Sequence, residues 1–399
     1  MDAKKKLMLI CPMLHQGGFE RVCVTTAKLM QPYFDVVIVI FDSADIAYDV
    51  EGLNIVDICM GVRKGKLNKI LNIIRRSLKV RQLKKRMKPD IAYSFGPTAN
   101  MVNAFSKTGK EKVWLGLRSY GDLKERVKMK LFALYADLIV CCSKQIEAEL
   151  KEEFHFHKTA VLYNLYDIEK MKREAEETEP ELPWEDKEGT LRYFVSMGRD
   201  DDAKAFWHML KVFSLIYKQM SDCRLIILGD GSFEEYRKLA EELEIAQAVC
   251  FAGMRRDPYT YLKKGKLYLL TSQFEGFPNA LVEGMAFGLV PVSVNCMTGP
   301  AEIIVEDGDT KQLEVDFEEK EEMVMFGDYG ILVPSMATEK NLDAKCITAE
   351  EKNMADVILE LLRDEEKMEK YRKAAVLRAH RFTYEGYREE FLRLAKTCE

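Results

Sequence analysis

The chain has no apolar run near the roughly 20 residues that crossing a bilayer requires, so a helical membrane-spanning protein is excluded. Lys4-Lys5-Lys6 leads into a short apolar stretch, Leu7–Cys11, that stops at Pro12 without a small-residue cleavage site. That stretch reads as a first strand, not a secretion signal. Cysteine is present at 10 residues, but none stands in C-x-x-C or at Cys/His ligand spacing. Most lie in apolar runs (Cys11, Cys141, Cys250), as the reduced thiols of a cytosolic protein do, and Cys141-Cys142 reads as one buried and one outward strand residue. Histidine is scarce, at 5 residues: His15, His155, His157, His208 and His380. Only His15 lies near a motif. The dinucleotide fingerprint is missing too, because Gly229-Asp230-Gly231 is followed by Glu234 where a third glycine belongs.

What is present describes an ordinary globular protein long enough for two domains: 399 residues, 47% hydrophobic and 31% charged. The net charge of -5 hides an asymmetry, with 29 Lys+Arg against 19 Asp+Glu in residues 1–170 and 31 against 46 in the remainder. The two halves are therefore expected to meet different partners. The first half alternates β-branched runs with helical stretches, the runs being Leu7–Cys11, Val36–Ile40, Ile55–Ile58, Ile91–Ser94, Val113–Gly116 and Leu138–Cys142. A second series follows at Tyr193–Met197, Arg224–Leu228, Val249–Phe251, Leu267–Leu270 and Val290–Val294. Such alternation predicts two parallel α/β sheets with helices on both faces. The expected divisions are an N-terminal domain at 1–170, an acidic Pro-bearing linker at 171–191, a C-terminal domain at 192–381 and a closing helix at 382–399.

The most informative segment runs from Ser272 to Gly288 and carries Glu275 on a Gly276-Phe277-Pro278 loop and Glu283 about two turns into the following helix. At ~1.5 Å rise per residue the two carboxylates can hold opposite ends of an elongated ligand, not one atom. Between them the amides and dipole of a helix N-terminus form an anion site. Hydroxyls at Glu275, a diphosphate over Gly276–Ala280 and a diol at Glu283 describe a nucleotide-sugar.

This segment resembles the E-x7-E signature of the retaining glycosyltransferases of family 4. Gly17-Gly18-Phe19-Glu20-Arg21 resembles their GG-x-E-R loop, and Gly198-Arg199 with Lys204 resembles their G-R-x(4)-K element. Leu228-Gly229-Asp230-Gly231 and Phe251-Ala252-Gly253 resemble two further strand ends. The resemblance implies a GT-B fold, two Rossmann-like domains with parallel sheets facing a central cleft, and a hexose-type transfer from a UDP-sugar. It assigns Glu275 to the transferred sugar, Arg199 and Lys204 to the departing diphosphate, and Glu283 to the ribose. Gly17, Gly18, Gly229, Gly253, Met254, Arg255, Gly276, Phe277, Pro278, Asn279, Ala280 and Leu281 complete the donor site, and His15 and Arg118 are expected near acceptor or phosphate. Ala205 departs from the family, which commonly has glycine there, and no histidine stands near Val113–Gly116. Asp200-Asp201-Asp202 and Asp307-Gly308-Asp309 contain D-x-D, but the first already lies beside cations, and no required metal or cofactor is expected. Front-side displacement lets the leaving phosphate oxygen take the acceptor proton, so no side-chain base is obligatory.

Arg63–Lys88 holds 12 Lys or Arg and no acid, with Leu67, Ile70, Leu71, Ile74 and Leu78 at helical spacing. The apolar stripe is expected to pack on the domain's own sheet, leaving the basic face to an anionic membrane surface. Nucleic acid is disfavoured, since no aromatic interleaves the cations. The expected activity is transfer to a glycan or lipid-linked saccharide in cell-surface polysaccharide (capsule-type) synthesis, in the cytoplasm or at the inner face of the membrane. The alternatives are an epimerase or phosphorylase of related fold, or a non-catalytic nucleotide-sugar binder.

Overall fold

A computed structural model describes residues 4–15, 17–61, 66–305 and 324–397, with side chains of the helix starting at Lys66 described from Asn68 onward. Asp307–Asp309, the acidic stretch Glu314–Glu322, and Arg63 and Lys64 lie outside these residues.

Two compact units form, one from Met1–Leu165 with Tyr384–Glu399, the other from Tyr166–Thr383. In the first, β1 (Lys6–Cys11), α1 (Gly18–Met30), β2 (Asp35–Ile40), β3 (Ile55–Asp57), α2 (Lys66–Met87), β4 (Ile91–Phe95), α3 (Pro97–Phe105), β5 (Lys112–Leu117), α4 (Arg126–Tyr135), β6 (Leu138–Cys141), α5 (Lys144–Glu153) and β7 (Thr159–Val161) follow in order. The strands lie side by side as β3-β2-β1-β4-β5-β6-β7, all parallel. Apolar residues run on without alternating because both faces are covered. Leu7, Leu9 and Cys11 enter one core with Val22, Ala27 and Tyr93, while Met8 and Ile10 enter another with Val80, Leu83 and Val102.

The second unit repeats the order with α6 (Ile168–Glu177), β8 (Arg192–Met197), α7 (Phe206–Gln219), β9 (Cys223–Leu228), α8 (Glu234–Glu242), β10 (Val249–Gly253), α9 (Pro258–Lys264), β11 (Gly265–Leu270), α10 (Asn279–Ala286), β12 (Val290–Val294), α11 (Pro300–Ile304), β13 (Met325–Phe326), β14 (Ile331–Val333), α12 (Ala349–Arg363) and α13 (Glu365–Ala379). Its sheet runs β10-β9-β8-β11-β12-β14-β13, parallel except at β13. Both sheets thus have the doubly wound order of a Rossmann fold, with a switch point beside the first strand of each. The last helix, α14 (Tyr384–Thr397), belongs to the first unit, where Tyr387, Phe391 and Leu394 join the core around Trp114.

Two expectations need correction. The acidic segment after residue 170 is not a free tether: α6 extends to Glu177, burying Ile168, Met171 and Ala175, which recur at helical spacing. Glu176, Glu179 and Glu181 then pair with Lys263, Lys264 and Arg255 of the same unit. The second correction concerns α2. Its apolar stripe does not pack on the sheet; Ile70, Leu71, Ile74 and Leu78 are exposed, and the buried side carries Asn72, Arg76, Ser77, Val80, Leu83 and Lys84. Specific acceptors explain the rotation. Asn72 donates to Gly61 O (2.9 Å), Arg76 Nε to Met60 O (2.9 Å), and Lys84 Nζ to Asn103 Oδ1 (2.7 Å) while paired with Glu111 at 3.1 Å. Burial pushes the Lys84 ammonium down to about 8, and the Glu111 carboxylate works against that shift.

Of the five histidines, His208 is structural. It is buried on α7, its Nδ1 lying 2.6 Å from Glu351 Oε1 and its Nε2 2.9 Å from Ala337 O. Glu351 also closes a capping box with Thr348 at the start of α12, so the one carboxylate serves two helices.

Candidate functional site

In the second sheet β8 lies between β9 and β11, so the loops leaving β8 and β11 emerge together and turn to opposite faces. A crevice opens there in doubly wound sheets. The two loops are tied by backbone: Gln273 N donates to Ala203 O (2.8 Å), and Thr271 Oγ1 donates to Lys204 O (3.2 Å). Across them Lys204 Nζ meets Glu275 Oε1 at 2.6 Å, with side chains 25% and 12% exposed. The stem of Lys204 lies over Gly198, where an added Cβ would sit 3.0–3.1 Å from its Cδ, Cε and Cγ. Lys204 is followed by Ala205 in the left-handed region (φ 48), a conformation that costs an alanine ~1–2 kcal/mol. Glycine at this position would have no such strain.

The loop after β12 fixes Glu275 from the other side. Glu275 N donates to Met297 O (3.0 Å), and Thr298 Oγ1 donates to Glu275 O (2.5 Å). Thr298 itself is fully buried with φ 64, an outlier for a β-branched residue. Strained backbone of this kind persists where surrounding contacts over-determine it, commonly at binding sites.

From Pro278 the chain enters α10, whose first turn has no side-chain cap, so its amides and positive dipole end face the loop. Phe277 is buried against Phe382, and Asn279 Oδ1 accepts from Tyr166 Oη at 2.6 Å. Glu283, one face further along α10, is 5% exposed. Gly284 lets α10 approach β11, since a Cβ there would meet the Tyr268 ring at 2.6 Å. Tyr268 Oη in turn accepts from Met197 N at the end of β8 (3.1 Å).

Gly229 joins three strand ends. Its N donates to Gly253 O (3.0 Å), its φ is 152, and an added Cβ would stand 1.8 Å from Gly198 O. Arg199 is exposed at the mouth of the β8 loop and forms no ion pair among the described residues. The three aspartates after it are engaged: Asp200 Oδ2 accepts from Phe233 N (2.8 Å), Asp201 Oδ1 from Ala203 N (2.9 Å), and Asp202 pairs with Lys340 (2.9 Å). Among the described residues no three His, Cys, Asp or Glu side chains are grouped as a metal site would need. Met254 is exposed, whereas the Arg255 guanidinium is held by Ala252 O (2.9 Å) and Glu181 (2.9 Å).

In the first unit the switch point lies between β1 and β4. Gly17 precedes α1 in extended backbone, its N donating to Tyr48 Oη (2.8 Å) and its O accepting from the same hydroxyl (2.6 Å). Gly18 opens α1, and half-buried His15 lies just upstream. Phe19 stacks its ring 3.2 Å from where a Cβ of Gly96 (φ 88), after β4, would be. Arg118, beyond β5, donates Nη1 to Asn164 Oδ1 (2.9 Å) and Nη2 to the Tyr93 hydroxyl, and lies over the Phe95 ring. The sequence carries no signal for the supporting hydroxyls of Tyr48, Tyr166, Tyr268 and Thr298, because each comes from a distant segment.

One further group went unmarked. Burial raises the Asp122 carboxyl, four residues after Arg118, to about 6. The folded chain thus holds its proton more tightly than the unfolded one between pH ~4 and ~6, and stability falls as pH rises through that window. Asp122→Asn is expected to flatten that slope and to stabilise the protein at pH 7 by roughly 1–2 kcal/mol, allowing for partial solvation. Melting temperatures of the two proteins from pH 4 to 8 test this; parallel curves would refute it.

Two Rossmann-type sheets, with a Lys-Glu pair and a bare helix start at the switch point of the second, are the arrangement of the GT-B fold class. Residues 178–324 match the model of the family "Glycosyl transferases group 1", and the chain is similar to glycosyltransferases over most of its length. It is 25% identical over 322 residues to an uncharacterized glycosyltransferase of Methanocaldococcus jannaschii, covering 75% of this chain and 77% of that protein. It is also 25% identical over 330 residues (79% and 87%) to the Campylobacter jejuni N-acetylgalactosamine-N,N'-diacetylbacillosaminyl-diphospho-undecaprenol 4-alpha-N-acetylgalactosaminyltransferase. Among solved structures, Anabaena HepE in complex with UDP and glucose superposes with a TM-score of 0.70 at 16% identity, covering 98% of this chain and 100% of that one. Sucrose-phosphate synthase of Thermosynechococcus elongatus reaches 0.74 at 13% identity, covering 99% of each. The fold class expected from the motifs, two α/β units each with a parallel sheet, is therefore the fold class observed.

Proposed function

We propose that the protein is a retaining hexosyltransferase that takes its sugar from a UDP-sugar and delivers it to a hydroxyl of a lipid-linked saccharide. The observation that carries this reading is the Lys204–Glu275 pair at 2.6 Å beside the uncapped start of α10. Glu275 accepts hydrogen bonds from the transferred sugar's hydroxyls, and Glu283 holds the ribose diol. Arg199, Lys204 and the α10 amides take the diphosphate, and negative charge accumulating there as the glycosidic bond breaks is stabilised more in the transition state than in the ground state. Before the donor arrives Lys204 and Glu275 satisfy one another, so neither is left as an unpaired, partly buried charge. The UDP in the HepE complex and the diphospho-undecaprenol named for the Campylobacter relative support the donor and acceptor classes. No helix among the described residues is long and apolar enough to cross a membrane, which fits an enzyme working at the cytoplasmic membrane face from outside the bilayer.

UDP at about a hundred times its Kd is expected to stabilise the protein by ~2.7 kcal/mol, a shift of several degrees in Tm. A panel of UDP-sugars should then show release of one sugar with its anomeric configuration kept, read by NMR. Stabilisation by other nucleotides but not UDP, or an inverted product, would contradict the reading.

A further inference from the structure

We infer that the outward face of α2 is a docking surface for an anionic bilayer. Ile70, Leu71, Ile74 and Leu78 are 59%, 48%, 50% and 64% exposed and share one side of the helix. Four large aliphatic side chains grouped in water on one helix call for a covering partner. Around and beyond them Lys69, Arg75, Lys79, Lys85 and Arg86 are exposed, and none is in an ion pair with a carboxylate among the described residues. An aliphatic centre with a cationic surround is the pattern that lies in a lipid headgroup layer, apolar residues below and cations level with the phosphates.

The rotation of α2 is what makes the surface. The buried side is committed elsewhere, Arg76 to Met60 O and Lys84 to Glu111 and Asn103, so the aliphatic stripe cannot turn inward without stranding two buried cations. Beside the stripe a recess of about 260 Å³ is lined by Lys79, Gln82, Leu83 and Arg86 of α2 with Val56, Asp57 and Ile58. Its one carboxylate, Asp57, is occupied by the amides of Ser43 (3.0 Å) and Cys59 (2.7 Å). Lys79 and Arg86 are left to face an anion there. Helix α3 packs on α2, and α4 packs on α3. On α4, Val127 and Leu134 are 76% and 73% exposed, with Lys130 exposed between them.

Charge selects the occupant. Pairing this face with a second copy of itself would bring two cationic surrounds together, which is unfavourable. Nucleic acid could meet the cations through its phosphates but would leave the four aliphatic side chains uncovered, and a single strand would find no aromatic stacking partner on this face.

This inference deepens the proposed lipid-linked acceptor and rests on that reading. Its test is co-sedimentation of the full chain with vesicles of phosphatidylglycerol and phosphatidylcholine against phosphatidylcholine alone. Wild type should bind the anionic vesicles and release in high salt. Arg75→Glu with Lys79→Glu and Lys85→Glu should weaken binding by about a hundredfold or more, and Ile70→Ser with Ile74→Ser and Leu78→Ser by at least about tenfold. Hydrolysis of the UDP-sugar in detergent-free solution should be unchanged in both, since these side chains are exposed and remote in sequence from the donor motifs. Normal hydrolysis without vesicle binding, equal binding to neutral vesicles, or recruitment only by an acidic protein would overturn the membrane assignment and leave the transferase reading intact. Loss of UDP-sugar hydrolysis in the wild type would instead sink the transferase reading.

Discussion

Glu275→Gln is expected to leave the fold intact while lowering turnover of the UDP-sugar by about 10²–10³-fold, the usual loss when one preorganised electrostatic contact at a reacting centre is removed. The amide keeps the shape of the carboxylate but loses its charge and half its accepting capacity. Lys204→Ala should act on the other end of the donor, weakening UDP binding and slowing transfer together. Because the two side chains face each other at 2.6 Å, their effects should not add. The double variant is expected to lose less than the sum of the single losses, since each single change leaves a partly buried charge without its partner. Steady-state kinetics with isothermal titration of UDP on the three variants check this. Additive losses would mean that the pair is incidental, and unaltered turnover in Glu275→Gln would remove this carboxylate from the chemistry.

Gly229→Ala should be the most damaging single methyl in the second unit. Its Cβ would stand 1.8 Å from Gly198 O, a backbone atom that cannot rotate away. The strand ends of β8, β9 and β10 would have to part, breaking the Gly229–Gly253 hydrogen bond and moving Arg199. Losses above about 4 kcal/mol are reserved for such clashes, and here that corresponds to a Tm drop of roughly 10 °C. Gly189→Ala is the control. It too has positive φ (66), but nothing lies within 4 Å of its Cβ. Only local backbone strain of ~1–2 kcal/mol is expected there. Equal melting of the two variants would show that close approach at Gly229 is not what requires glycine.

Much of the strand framework is legible in residue order. The run Val290–Val294 is the strand β12 as predicted, and the run read at Tyr193–Met197 differs from β8 by one residue. A parallel strand covered on both faces needs a nearly continuous apolar run, and few other structures of that length use one. Short strands escape this signal. Thr159–Val161 and Met325–Phe326 have too few residues to show a pattern and exist because a neighbouring edge supplies their hydrogen bonds.

The motif loops are equally local in origin. Gly-Phe-Pro before an apolar helix, or Gly-Arg after a strand, specifies backbone that can approach an anion wherever the segment is placed, so candidate residues such as Glu275 and Lys204 stand out without coordinates. That these two meet at 2.6 Å is a different matter, settled by the order of β8 and β11 in the sheet. So is the support from Thr298 and Tyr166, which reach the loop from 23 residues downstream and 113 upstream of their partners.

Helix α2 marks the limit most clearly. Its sequence offers two stripes, one aliphatic through Ile70, Ile74 and Leu78, the other mixed through Asn72, Arg76, Val80 and Lys84. Periodicity alone favours burying the first, because hydrophobic transfer is counted per residue and needs no partner. The fold buries the second, because Met60 O, Asn103 and Glu111 wait there with matching geometry. Residue order therefore determined the sheets, the glycine-bearing loops and the acids and bases on them, all properties of short segments. Tertiary structure alone decided which helix face meets water and which charges meet each other, since both depend on partners brought together only by the folded chain.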